Sequence, residues 1–143
     1  NTHGHRDHIA GNGEILNVTG AKLAANPLDV KDVDIALGEG SQLQVGTVTI
    51  EVLHTPGHTP GSLVFNPPGA LITGDTLFVG AVGRTDLPGG SMETLLNSIK
   101  EKLLHLPEDT VVWPGHDYGD QPTSTMGREK ETNPYITDFI LDA

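Results

Sequence analysis

Cysteine is absent from the 143 residues. Its absence excludes disulfides, iron–sulfur clusters and thiolate zinc sites, and it fits a reducing compartment, so a cytoplasmic location is expected. Aromatic residues are scarce at 4%, which leaves the core to aliphatic side chains. Basic residues are scarce as well: Lys and Arg total 8 against 19 Asp and Glu, a formal charge of −11. A surface of that sign repels phosphates and anionic headgroups, which argues against nucleic acid and membrane surfaces as partners. No apolar run is long enough to span a bilayer, and no signal-peptide pattern is present. The length suits one domain.

Glycine (18) and proline (10) are frequent and lie mostly at the ends of short apolar runs. That punctuation predicts short strands joined by tight loops. A helix is expected over 8–18, weakened by Gly11 and Gly13, with short strands over 21–25 and 35–37. Val45, Val48, Ile50 and Val52 alternate with polar residues as in a half-buried strand. Residues 62–65 and 70–73 read as strands flanking the turn Asn66-Pro67-Pro68-Gly69. Ser91 can cap the clearest helix, whose Met92, Leu95, Leu96, Ile99 and Leu103 share one face. Residues 110–113 form a strand stopped by Pro114, and a last helical stretch falls within 123–131. Strands separated by helices describe an α/β layered domain.

Four segments carry potential ligands. In Thr2-His3-Gly4-His5-Arg6-Asp7-His8, four nitrogen or oxygen donors occupy six positions. Such donors suit zinc, iron or manganese. After a strand, alternate residues point to one side, so His3 and His5 can share an ion while Asp7 and His8 turn toward a second. His54-Thr55-Pro56-Gly57-His58-Thr59-Pro60-Gly61-Ser62 follows the alternating strand, and at most one of its histidines is expected to reach the first ion. Asp75, in Thr73-Gly74-Asp75-Thr76, can bridge two cations through its two oxygens. His116, in Trp113-Pro114-Gly115-His116-Asp117-Tyr118, would alone read as structural. Each segment follows a predicted strand, so all can converge on one edge of the fold.

The order Thr-His-X-His-X-Asp-His, Pro-Gly-His-Thr, Gly-Asp, Gly-His resembles the metallo-β-lactamase superfamily from Asn1 to about Tyr135. The resemblance implies an αβ/βα sandwich without its N-terminal strands, roughly another sixty residues, and hence a longer protein as made. It implies a first-metal set of His3, His5 and His58, a second-metal set of Asp7, His8 and His116, and Asp75 as the bridging carboxylate. His54 matches a position that is not usually a ligand, and His105 matches no motif.

Gly74-Asp75-Thr76-Leu77-Phe78-Val79-Gly80, Gly83-Arg84-Thr85-Asp86-Leu87 and Pro114-Gly115-His116-Asp117-Tyr118 are similar to the glyoxalase II branch and its persulfide dioxygenase relatives. In that branch Arg84 and Tyr118 match residues of a glutathione pocket; otherwise Arg84 is a surface arginine paired with Asp86. The expected activity is hydrolysis of a thioester such as an S-acyl glutathione by metal-activated hydroxide, with Asp7 orienting the nucleophile. Two divalent ions are expected, zinc first, iron or manganese otherwise. One alternative is persulfide dioxygenation at a single iron held by His3, His58 and Asp75; another is a non-catalytic metal-binding fragment.

Overall fold

The computed structural model describes residues 1–142. After the opening motif come α1 (Arg6–Ile9) and α2 (Asn12–Thr19), then β1 (Ala24–Ala25) and β2 (Ile35–Ala36). A hairpin of β3 (Gln42–Val45) and β4 (Val48–His54) leads to β5 (Leu63–Asn66), β6 (Ala70–Gly74) and a small hairpin of β7 (Leu77–Phe78) and β8 (Ala81–Val82). The helix α3 (Met92–Lys102) precedes β9 (Val111–Pro114), β10 (Ser124–Thr125), α4 (Met126–Thr132) and α5 (Pro134–Ile136). A π-helical turn, Thr137–Leu141, follows.

The main sheet runs β10-β9-β6-β5-β4-β3. All its pairs are antiparallel except β6 and β9, which α3 connects as a crossover. Ser91 caps α3 by accepting from the Thr94 amide at 3.2 Å, and Lys100 and Lys102 suit its C-terminal end. Leu95, Ile99 and Leu103 are fully buried against Val64, Leu71 and Val112 of the sheet and Met126 and Ile136 beyond it. Each such burial contributes about 1.5–3 kcal/mol. Met92, on the same predicted face, remains exposed at the rim.

Two sequence expectations need correction, and one hairpin was not anticipated. The 8–18 helix is two helices, because Ala10-Gly11 forms a turn and Gly11 starts α2. The single alternating strand is a hairpin turning at Gly46, whose φ of 60° favours glycine. Val45 and Val48 are therefore register partners at its tip, 60% and 40% exposed, and only Val52 reaches the core. The β7–β8 hairpin falls at and just after the Gly74–Gly80 motif, where no strand was expected.

Val52 and Leu63, on the face away from α3, pack against Leu37. The same strands alternate Leu53 and Val64 toward the larger cluster. Ile72 and Trp113, parallel partners, are solvent-exposed. No helix among the described residues is long and apolar enough to cross a membrane.

Candidate metal centre

The crossover explains why ligands distant in sequence become neighbours. Parallel pairing places Gly74 beside Pro114, so Asp75 and His116 leave the sheet side by side. The Gly115 amide donates to the Gly74 carbonyl at 2.7 Å. A Cβ on Gly115 would meet Asp75 Oδ1 and the Gly74 backbone, so glycine is what permits this approach. Two strands on from β6 in the sheet, β4 ends at His54 and hands the chain to the His58 loop. The Leu63 amide donates to the Thr2 carbonyl at 2.8 Å, which ties the opening motif to the same edge.

All seven sequence-predicted metal residues meet there. His5 Nδ1 lies 3.0 Å from His58 Nε2, and His3, His5 and His58 form one compact group. Asp7, His8 and His116 form another: Asp7 Oδ2 is 3.3 Å from His8 Nε2 and 3.2 Å from His116 Nε2, and the two imidazole nitrogens are 3.2 Å apart. Asp75 lies between the groups. Its Oδ2 is 3.3 Å from both His58 Nε2 and His116 Nε2 and 3.8 Å from His3 Nε2, while Oδ1 is 3.2 Å from His8 Nε2.

These residues fit a cation. Four donors held tetrahedrally at 2.0–2.1 Å stand about 3.3 Å from one another, close to the observed spacings. Buried His3 Nε2 and Asp75 Oδ1 also lack any hydrogen-bond partner, a costly condition that a bound ion relieves.

The electrostatics of His3 and His5 run the same way, while those of His58 favour its protonated ring. Burial, reinforced by His8, pushes His3 down to about 4, so its lone pair is free at neutral pH. His5 is lowered by burial and by His58. Burial lowers His58 too, but Asp75 and the Arg84 carbonyl outweigh it and hold the ring above its ordinary value. Asp75 is raised by burial yet ends below its ordinary value, because His58 and the surrounding imidazoles favour the carboxylate.

Arg84 and Tyr118 sit at the mouth. Arg84 gives Asp86 a bidentate pair, Nε to Oδ1 at 2.7 Å and Nη2 to Oδ2 at 2.8 Å, and the pair holds Asp86 down at about 2. Tyr118 stacks on His116 with ring centroids 4.8 Å apart. Both residues line a polar cavity of about 350 Å³ that includes Asp7 and His116. Both also line a second cavity of about 310 Å³ that reaches Phe78, Val82 and Tyr135. His54 is apart from the cluster, with Nε2 2.8 Å from the Pro60 carbonyl, and His105 is exposed. Sequence reading missed Gly83 and Asp29, both packed against ligand loops. A glycine just before the recognised Arg84 was the available signal for the first; nothing local marked the second.

The sequence pattern described as Metallo-beta-lactamase superfamily matches residues 27–116, which include His58, Asp75 and His116. The mitochondrial persulfide dioxygenase ETHE1 of Mus musculus is 36% identical over 96% of this chain and 55% of its own length. The probable metallo-hydrolase YqgX of Bacillus subtilis is 37% identical over 98% of this chain and 75% of its own. Among solved structures, ETHE1 from Myxococcus xanthus superposes with a TM-score of 0.90 at 34% identity, covering 94% of this chain and 60% of that one. TTHA1623, solved in a di-iron-bound form, gives 0.81 at 33% identity, covering 94% and 74%. The chain thus spans little more than half the length of the dioxygenases and about three quarters of the metallo-hydrolase.

Proposed function

The chain belongs to the metallo-β-lactamase superfamily of metal-dependent enzymes, and on that premise we propose that it hydrolyses thioesters such as S-acyl glutathione at a two-metal centre. The observation that carries this reading is the second ligand group. Asp7, His8 and His116 stand beside His3, His5 and His58 with Asp75 reaching both, so the chain has donors for two cations. Bound there, two divalent cations would supply Lewis acidity and bring the pKa of a water near neutrality.

The chain's own residues provide the rest. Asp7 is 58% exposed and stands over the polar cavity, where its carboxylate can accept a hydrogen bond from the attacking water and orient it. Asp86 fixes the Arg84 guanidinium, leaving Nη1 to meet a carboxylate of the glutathione portion. Tyr118, clamped between His116 and Phe78, forms the opposite wall. A thiolate leaves readily, so no further acid is required beside the scissile bond.

A second reading, persulfide dioxygenation at one iron held by His3, His58 and Asp75, is favoured by the 36% identity to the dioxygenases. One experiment separates the two. Elemental analysis of the purified chain, with thiol release from S-acyl glutathione and oxygen uptake on glutathione persulfide measured in parallel, should give two ions per chain and thiol release. One iron with oxygen uptake would overturn the hydrolase in favour of the dioxygenase.

A further inference from the structure

Residues 26–29 form a stiff turn against the metal centre. Asn26 Oδ1 accepts from the Leu28 amide at 2.9 Å, and the Asn26 carbonyl accepts from the amides of Asp29 and Val30, each at 3.0 Å. Pro27 has a fixed φ, and buried Asn26 and Val30 anchor both ends. The Asp29 carboxylate is therefore held in place. Its Oδ2 accepts from the Gly4 amide at 2.9 Å and from Thr59 Oγ1 at 2.5 Å, and Oδ1 accepts from the Gly61 amide at 2.7 Å. A Cβ on Gly4 would strike the Asp29 backbone, and one on Gly61 would strike its carboxylate, so both loops close tightly on this residue.

The donors are not placed at random. Gly4 lies between His3 and His5, and Thr59 directly follows His58, so two of the three bonds flank all three histidines of one ligand group, and the third holds the same 58–61 loop. None flanks Asp7, His8 or His116. We propose that Asp29 is a positioning residue for the His3/His5/His58 cation site, clasping the opening motif to the 58–61 loop so that the imidazoles stand at ligand spacing before an ion arrives. The inference rests on those histidines binding a cation and is independent of the substrate.

The chemistry requires a carboxylate. Two amides and a hydroxyl need three acceptor lone pairs, and an ionised carboxylate has about four with stronger, charge-assisted bonds. An amide has one acceptor oxygen and would turn an NH2 group toward a facing N–H. Outer partners that orient metal ligands typically govern affinity by about tenfold to a hundredfold.

The test is stepwise cobalt(II) and zinc(II) titration of the purified chain against a chromophoric chelator, with the cobalt absorption bands reporting which ligand group fills. In Asp29→Asn and Asp29→Ala, affinity for the ion held by the three histidines should fall about tenfold or more. Affinity for the other ion should change much less. Thr59→Ser, which keeps the hydroxyl donor, should retain the parental affinity, and Thr59→Val should lose part of it. Parental affinity for both ions in Asp29→Asn overturns the proposal, as does equal weakening of both, which marks a brace of the fold alone. If the Asp29 variants do not fold, the Thr59 pair decides, and equal affinity of its two members overturns the clasp. A parent chain that binds no ion fails the metal reading itself, before any variant is made.

Discussion

His58 Nδ1 lies 2.7 Å from the backbone carbonyl oxygen of Arg84. A carbonyl only accepts, so Nδ1 carries the proton and the Nε2 lone pair points into the cluster, 3.3 Å from Asp75. The loop that presents the candidate substrate arginine thus also sets the tautomer of a candidate ligand. Gly83 makes this possible, because a Cβ there would strike the Asp75 carbonyl and His58 Nδ1.

Gly83→Ala is therefore expected to lower metal affinity by about tenfold to a hundredfold while the chain stays folded. Chelator competition measures the affinity, and circular dichroism checks the fold. Parental affinity would show that the loop yields without disturbing His58.

Arg84→Ala should act on substrate and not on metal. Under the proposed hydrolysis it removes one charge-assisted contact, about 1.5–3 kcal/mol, and so raises KM for S-acyl glutathione roughly tenfold or more. Steady-state kinetics should find kcat within about twofold and metal content unchanged.

Removing metal should lower the stability of the fold. With free ion at a hundred times Kd, binding contributes about 2.7 kcal/mol, which for a chain of this size corresponds to a fall in Tm of roughly 6–10 °C on stripping with a chelator. A calorimetric scan with and without chelator, followed by metal add-back, measures it.

Acid should destabilise the metal-free protein in a defined window. His3 is depressed from 6.5 to about 4 in the fold, so the unfolded chain takes up this proton first. Its contribution is fully present above pH 6.5 and is lost as pH falls toward 4. His5 is shifted the same way, whereas the raised His58 acts above 6.5 and the lowered Asp75 below about 3.8. Urea unfolding should give about 2 kcal/mol less stability at pH 5 than at pH 7, and His3→Gln should flatten that slope.

Glu129 is fully buried, and its carboxylate accepts from the Gly80 amide at 2.8 Å, Asn133 Nδ2 at 3.0 Å and Ser124 Oγ at 2.6 Å. Glu129→Ala removes all three bonds and leaves the Gly80 amide without a partner, and it should cost about 3 kcal/mol. Glu129→Gln should cost less, since the Ser124 hydroxyl can reverse and accept. Urea midpoints of the two variants test the order.

The convergence of the seven candidate ligands was legible because their chemistry is packed into short motifs at strand ends, and the helix at Ser91 because its cap and its Leu95/Ile99/Leu103 stripe agree. Val45 and Val48 misled because alternation continues through a hairpin turn that a single glycine makes. Asp29 and Glu129 gave no signal. Their partners lie up to 32 and 49 residues away, and a lone acid in a polar stretch reads like any solvated one. Arg84 lines a cavity, and its pairing with Asp86 is the geometry of the surface-pair reading.

Because Asp75 and His116 are set by the parallel pairing of β6 with β9, the 77–110 segment between them, apart from the Gly83–Arg84 turn that holds His58, is free of the duty of spacing donors. That segment supplies Phe78, Val82 and Arg84 to the cavity walls. Swaps within it that spare Gly83 and the Arg84 carbonyl can reshape what enters while the cation cage keeps its dimensions, so one inorganic core can serve many organic guests.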